Sequence, residues 1–169
     1  MKDSIKKSPR AGVRKLGDLI RDIRVAMLVT SDGRHGFHGR PMMTQEAEFD
    51  GTLWFFTAAD SPKDEEIRKN SDVQLSYMDP DSHTYVSVSG SATVVQDIEK
   101  ARELWRPSLR AWFPHGPDDP GVALLRVEVD HAEYWDAPSR MMVVLISMAK
   151  AAIGKSYAGE GSLHQKVKL

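Results

Sequence analysis

Apolar residues recur every three or four positions near the start of the chain. Val13, Leu16 and Ile20 follow this spacing, which is typical of a helix that packs one face on a core. We therefore predict a first helix over residues 13–23. The basic residues that precede it are expected to form a flexible, solvated tail over residues 1–12.

The next segments alternate between strand-like runs and turn signals. Residues 25–30 are apolar and β-branched, as in a buried strand, and Ser31-Asp32-Gly33 is a turn signal. A second strand is predicted over residues 37–49. A tight hairpin turn at Asp50-Gly51 should join it to a third strand over residues 52–57.

The third strand is rich in aromatic residues. Because successive side chains of a strand point to opposite faces, Trp54 and Phe56 should share one face and Phe55 should lie on the other. At most one face can line a ligand cleft. Part of this aromatic set is therefore expected to be core.

The rest of the chain continues the mixture of helices and strands. Helices are predicted from Ser61 to about Asn70, with Ser61 as cap, and after the capping residue Asp97 as far as Pro107. Strands are predicted over residues 73–78, 84–95, 122–135 and 141–147, with a bulge at Gly90. Tight turns between early strands favour an antiparallel sheet or barrel, so the predicted class is α+β, mainly β. One domain is predicted over residues 13–150, followed by a C-terminal tail over residues 151–169 whose packing stays open.

Composition excludes several classes of protein. The 169 residues suit one domain, and a net charge of -1 from 23 basic and 24 acidic side chains gives no field for nucleic acid or a membrane surface. The chain has no cysteine, which excludes disulfides and thiolate catalysis and favours a cytoplasmic location. The apolar run over residues 141–146 is too short to span a bilayer. The six histidines have no metal-ligand spacing, so no metal site is predicted.

Two short segments carry candidate chemistry. In Ser61-Pro62-Lys63, a helix N-terminus with free backbone N–H groups and a lysine would suit a phosphate. In Arg40-Pro41-Met42, an arginine that can bind phosphate or ring carbonyl oxygens precedes a proline that indicates an edge or a bend. Taken singly, each segment is also compatible with a capped surface helix or a solvated edge arginine.

Taken in order, several segments resemble the pyridoxamine 5'-phosphate oxidase-like family of FMN-binding split β-barrels, and within it the general stress protein 26 branch. The resemblance runs from about Leu16 to Trp135. The matching segments are Met27-Leu28-Val29-Thr30, Gly39-Arg40-Pro41-Met42, Trp54-Phe55-Phe56-Thr57, Ser61-Pro62-Lys63, Trp112-Phe113-Pro114, Asp118-Asp119-Pro120 and Glu133-Tyr134-Trp135.

The resemblance implies an antiparallel split barrel with flanking helices, which forms a homodimer with FMN at the subunit interface. Ser61 and Lys63 match the phosphate-binding residues, although Pro62 stands where relatives often have an arginine. Trp135 matches a tryptophan that reaches the flavin from the partner subunit. The full set of implied FMN contacts is Arg40, Pro41, Met42, Phe56, Thr57, Ser61, Lys63, Tyr85, Ser87, Trp112 and Trp135.

The resemblance also limits the chemistry. True pyridoxamine phosphate oxidases follow the tryptophan with an Arg-x-His pair, whereas here Trp135 leads to Ser139-Arg140-Met141-Met142, so vitamin B6 oxidation is not expected. The leading hypothesis is an FMN-binding general stress protein and flavin-dependent oxidoreductase of unknown substrate, with no assignable catalytic acid or base. A non-catalytic flavin store or sensor and a deazaflavin-dependent reductase stay open as alternatives.

Overall fold

A computed structural model describes residues 9–34, 36–136 and 163–169. The elements in these ranges are α1 (Pro9–Ile23), β1 (Val25–Ser31), β2 (Phe37–Met43), β3 (Thr52–Ala58), α2 (Pro62–Lys69), β4 (Asp72–Asp79), β5 (Thr84–Val95), α3 (Ile98–Leu104), a 3₁₀ helix (Pro107–Ala111), β6 (Val122–Asp136) and β7 (Leu163–Lys168). No helix within these ranges is long and apolar enough to cross a membrane.

The strands form one open antiparallel sheet in the order β2-β1-β4-β5-β6-β3, with β7 also paired to β6. The long strand β6 accommodates both partners along the same edge. Its first half pairs with β3, and residues 131–136 pair with β7. The predicted class, mainly antiparallel β with flanking helices, is confirmed. Strands β2 and β3 are the two ends of the sheet order.

The predicted hairpin between the second and third strands is wrong. Strand β2 ends at Met43 rather than at residue 49, and β3 pairs along its whole length with β6. The turn at Gly51 exists and has a left-handed backbone, φ 106°, but it does not join paired strands. Strand β3 pairs with β6 rather than with β2 because this pairing places Leu53 and Phe55 opposite buried apolar partners.

The first helix starts earlier than predicted, and a strand lies in the C-terminal segment, whose packing the sequence leaves open. Helix α1 begins at Pro9, four residues before the predicted start, so residues 9–12 are helical rather than part of a tail. The C-terminal tail ends in a strand, β7, which adds to the sheet through β6. The predicted strand over residues 141–147 lies outside the described residues.

The core has two parts that the aromatic strand β3 separates. Phe55 belongs to the larger cluster, which lies under α1 and includes Leu16 and Leu28. Phe56 belongs to a second cluster with Leu104 and Leu109, and Trp54 packs against that cluster. The predicted division of the aromatic residues between the two faces of β3 is therefore confirmed.

The predicted bulge at Gly90 is confirmed. The β5–β6 register shifts between Ser89 and Gly90. A Cβ atom at position 90 would lie 2.1 Å from the carbonyl oxygen of Glu128, a distance that real Cβ contacts do not reach. Glycine is thus required by the close approach of two backbones.

Candidate functional site

The two ends of the open sheet approach each other at one point. Thr44, just after β2, forms an isolated bridge with Phe55 of β3, and the N–H of Gln45 donates to the carbonyl of Trp54 at 2.8 Å. The segment Arg40-Pro41-Met42 lies on the β2 side of this split and Phe56 on the other. Pro41 therefore occupies an edge strand, as its missing N–H group predicts.

An apolar cleft of about 330 Å³ opens at the split. Four residues that the resemblance implied as FMN contacts line it, together with residues of β1 and of the segment after the 3₁₀ helix. Trp112 is 65% exposed and forms part of the rim. The lining residues are Val25, Pro41, Met42, Met43, Gln45, Phe56, Leu109, Trp112 and Phe113.

Two aromatic neighbours hold the ring of Phe56 in the wall of this cleft. Its ring lies 5.5 Å from that of Trp105 in an edge-to-face arrangement and 6.0 Å from that of Phe113. Such pairs stabilise one ring orientation beyond the area that they bury. The orientation of the Phe56 ring in the cleft wall is therefore fixed by its neighbours.

Ser61 and Lys63 lie at the start of α2, but Ser61 does not cap the helix with its side chain, contrary to the prediction. The Ser61 hydroxyl instead donates to Oδ1 of Asp64 at 2.8 Å, and Nζ of Lys63 donates to Oγ of Ser61 at 3.2 Å. Asp64 can accept this hydrogen bond because its side chain is buried, with 1% exposure, in the first turn of the helix. The three side chains form one hydrogen-bonded chain.

Lys63 is partly buried beside another cation. Burial lowers the pKa of Lys63, the Asp64 carboxylate raises it, and the positive charge of Arg40 lowers it. The charge of Arg40 therefore disfavours the charged form of Lys63. A bound anion beside the two cations would offset that effect.

Glu66, which the sequence analysis did not single out, connects α2 to β1 and β2. Its Oε2 accepts from Oγ1 of Thr30 at 2.5 Å and from Nη2 of Arg40 at 2.9 Å. Its Oε1 lies 2.5 Å from Nδ1 of His38. Since an ionised carboxylate only accepts, Nδ1 carries the hydrogen.

The surroundings of Glu66 keep it ionised. Burial alone would raise the pKa of Glu66, but the hydrogen bonds from Thr30, Arg40 and His38 outweigh burial and lower the pKa to about 2. The only sequence signal for this role is the spacing of Glu66 three positions after Lys63, which places both near one face of α2. Such spacing is too common to identify a function.

The charged cluster around Arg40 and Lys63, which we call the charged end, begins one residue before the cleft-lining Pro41 and fits a phosphate group. Nη1 of Arg40 is buried and has no hydrogen-bond acceptor among the described residues, and a phosphate oxygen is the acceptor that a guanidinium N–H group matches well. Arg40, Lys63 and the backbone at the start of α2 are the groups that would hold it. Oδ2 of Asp64 is the matching unsatisfied acceptor, again within the described part of the chain.

Thr57 is not in the cleft wall. Its side chain is buried on the face of β3 opposite to Phe56, and its hydroxyl donates to the carbonyl of Ala58 at 3.3 Å. Its implied contact with the ribityl chain stays a prediction.

Tyr85, Ser87 and Trp135 lie on other strands, away from the cleft of their own chain. Tyr85 and Ser87 are on β5, three strands from β2, about 14 Å along the sheet at the usual strand spacing. Trp135 is opposite Tyr85 on β6. The described part of a single chain does not bring these residues to the cleft.

No group of histidine, aspartate and glutamate side chains in the described ranges could hold a metal ion. The site thus consists of an apolar cleft, two cations and a carboxylate that orders one of them.

The open antiparallel sheet, with a cleft between its two ends, defines the chain as a split β-barrel protein. A family model described as pyridoxamine 5'-phosphate oxidase like matches residues 11–158. The chain belongs to this family.

Solved structures and a curated relative agree with this assignment. A protein described as a general stress protein 26, from Jannaschia sp. CCS1, has a TM-score of 0.75 and 22% identity, covering 95% of this chain and 99% of that one. The general stress FMN/FAD binding protein from Xanthomonas citri has a TM-score of 0.67 and 28% identity, covering 89% and 96%. Protein bli-3 of Neurospora crassa is 26% identical over 151 residues, which are 83% of this chain and 72% of that protein.

Proposed function

We propose that this chain is an FMN-binding general stress protein that acts as a flavin-dependent oxidoreductase. The observation that carries the proposal is that strand β2 contributes both to an apolar cleft and to a charged cluster. Pro41 and Met42 line the cleft with Phe56 and Trp112, and the preceding residue, Arg40, lies near the charge of Lys63. This arrangement suits a ligand with a flat ring at one end and a phosphate at the other. The similarity to an FMN/FAD binding protein at 28% identity supports the choice of a flavin.

FMN would supply the redox chemistry, and the chain would supply position and electrostatics. Arg40, Ser61 and Lys63 would bind the phosphate, and Pro41, Met42 and Phe56 would contact the ring. Vitamin B6 oxidation is not part of the proposal, because the Arg-x-His pair is missing from the sequence after Trp135.

We also propose that the protein works as a homodimer. The strand registers place Met43, Val25, Met78, Tyr85 and Trp135 in one row across the sheet face opposite α1, which we call the outer row. Val25 is 46% exposed, Met78 60% and Tyr85 39%. The outer row begins in the cleft, since Val25 and Met43 also line it. A second copy packed on this face would cover apolar surface and bring its own Tyr85 and Trp135 towards the cleft.

The test is an FMN titration of the purified protein, followed by absorbance and fluorescence, with sedimentation of the same sample. We expect saturable binding at one FMN per chain and a dimer that carries the flavin band. A protein that gives no saturable change with FMN would contradict flavin binding. A flavin-loaded monomer would contradict the dimer alone.

The cleft favours one alternative, a flavin store or sensor without turnover. None of the residues that line it is an acid, a base or a nucleophile. Steady oxidation of NAD(P)H by the FMN-loaded protein with an added acceptor would exclude this alternative. Tighter binding of a deazaflavin than of FMN would instead favour a deazaflavin-dependent reductase.

A further inference from the structure

Glu66 is the point where three elements of the charged end meet. From α2 it contacts Thr30 on β1 and both His38 and Arg40 on β2. Strand β2 ends the sheet and has β1 as its ladder partner. An arginine on such an edge has no neighbouring strand on its outer side to hold it. The Glu66 carboxylate accepts a hydrogen bond from Arg40 and so holds an arginine that has no strand on its outer side.

The contact fixes one side of the Arg40 guanidinium. Nη2 donates to Oε2 of Glu66 at 2.9 Å, and Nη1 is the buried N–H group without an acceptor among the described residues. With three donors around it, the Glu66 carboxylate is held in place by Thr30 and His38. It is therefore a rigid support for the arginine.

We propose that Glu66 is a positioning residue for phosphate binding. It orients Arg40 on β2 relative to Lys63 on α2, so that two cations from separate elements serve one anion. The inference rests on the proposed function, because the anion is the phosphate of FMN. Glu66 itself is not assigned any contact with the ligand.

The direction in which FMN affinity changes when the Glu66 carboxylate is removed distinguishes a positioning role from a purely Coulombic effect. A carboxylate close to the site repels an anion, so on Coulombic grounds its removal would strengthen FMN binding. Positioning requires the opposite result. In Glu66→Gln the amide keeps the size but loses the negative charge, so a hydrogen bond from Arg40 to its carbonyl oxygen is no longer charge-assisted. The guanidinium is then held less firmly.

The experiment titrates wild-type protein, Glu66→Gln, Arg40→Gln and the double variant with FMN and with riboflavin, which has no phosphate. We expect Glu66→Gln to weaken FMN binding about tenfold or more, the scale of a lost charge-assisted hydrogen bond. Riboflavin binding should be unchanged. In the Arg40→Gln background, Glu66→Gln should cause no further loss. Glu65→Gln is the matched control, because Glu65 pairs with Lys69 on the exposed side of the same helix.

Three results would overturn the inference. Glu66→Gln could bind FMN more tightly than wild type, or lose the same affinity for FMN and for riboflavin. Glu66→Gln could also weaken FMN binding as much in the Arg40→Gln background as in the wild-type background. A measurement on the ligand-free protein keeps the test independent of the proposed function. Nitrogen-detected NMR should give a slowly exchanging Arg40 guanidinium signal that Glu66→Gln abolishes and Glu65→Gln preserves. If wild-type protein lacks this signal, Glu66 does not hold Arg40, whether or not FMN binds.

Discussion

Lys63 carries its charge at a partly buried position, hydrogen-bonded to Ser61 and close to Arg40. Burial lowers the pKa of Lys63, so the charged form lacks full solvation and should gain from a phosphate partner. We expect Lys63→Ala to weaken FMN binding by about 1–3 kcal/mol, as for a lost hydrogen bond to a charged group. Riboflavin affinity should not change. Fluorescence titration at fixed salt measures both.

Lys69→Ala is the matched control for that prediction, because Lys69 lies at the exposed end of the same helix and pairs with Glu65. An FMN dissociation constant that is the same for Lys63→Ala and wild type would mean that the phosphate binds elsewhere.

Glu66 should also make the stability of the protein depend on pH in a defined window. Burial opposes ionisation, but the hydrogen bonds from Thr30, Arg40 and His38 lower its pKa from 4.5 to about 2. The folded pKa lies below the unfolded one, so this contribution is present above pH 4.5 and is lost as the pH falls towards 2. We expect the difference in unfolding free energy between wild type and Glu66→Gln to shrink over that window. Urea denaturation at successive pH values measures it, and a constant difference would contradict the prediction.

At the scale of elements, local signals proved reliable and long-range pairing did not. Gly51 has the left-handed backbone that its turn signal predicts. However, the hairpin expected there does not form, because β3 pairs with a strand about 70 residues later along the chain. A turn signal depends on a few neighbouring residues. The choice of partner depends on which distant strand buries Leu53 and Phe55, and a single sequence does not reveal this.

Helix α2 likewise combines ends that its local residues predict with side-chain contacts that they do not predict. Its start at Pro62 and its end beside Asn70 follow from the residues that favour those positions. The hydrogen-bond partner of the Ser61 hydroxyl does not follow from local residue preferences, because Asp64 becomes the acceptor only through its burial. Glu66 was missed for a similar reason: its role depends on donors from β1 and β2.

The bulge at Gly90 provides a test of the pairing between β5 and β6. A methyl group there would meet the Glu128 carbonyl oxygen at 2.1 Å, so the two backbones must separate. We expect Gly90→Ala to lower the free energy of unfolding by about 1–3 kcal/mol or more, the usual scale of overpacking. In the control Gly39→Ala, the Cβ would lie 3.5 Å from the flexible end of Met27. Urea denaturation should show little change for the control, and equal losses for both variants would contradict the prediction.

At the scale of the whole molecule, the fold separates two groups among the residues implied by the family resemblance. Pro41, Met42, Phe56 and Trp112 meet in one cleft, although they are spread over 70 residues of sequence. Tyr85 and Trp135 lie on the outer row instead. The resemblance predicted both groups as contacts of one ligand. The fold of a single chain brings together only the first, which is the physical reason to expect a second chain.

That expectation can be tested on the outer row without altering the cleft. Met78 is 60% exposed, lies opposite Tyr85 and does not line the cleft, so Met78→Glu places a charge in the proposed interface. We expect the variant to sediment as a folded monomer and to bind FMN more weakly, because the partner's Tyr85 and Trp135 are lost. Ile98→Glu is the control, since Ile98 is 51% exposed on α3 and should leave the dimer intact. A Met78→Glu protein that remains a dimer would place the interface on another face, and the second group of residues would then have no route to the flavin.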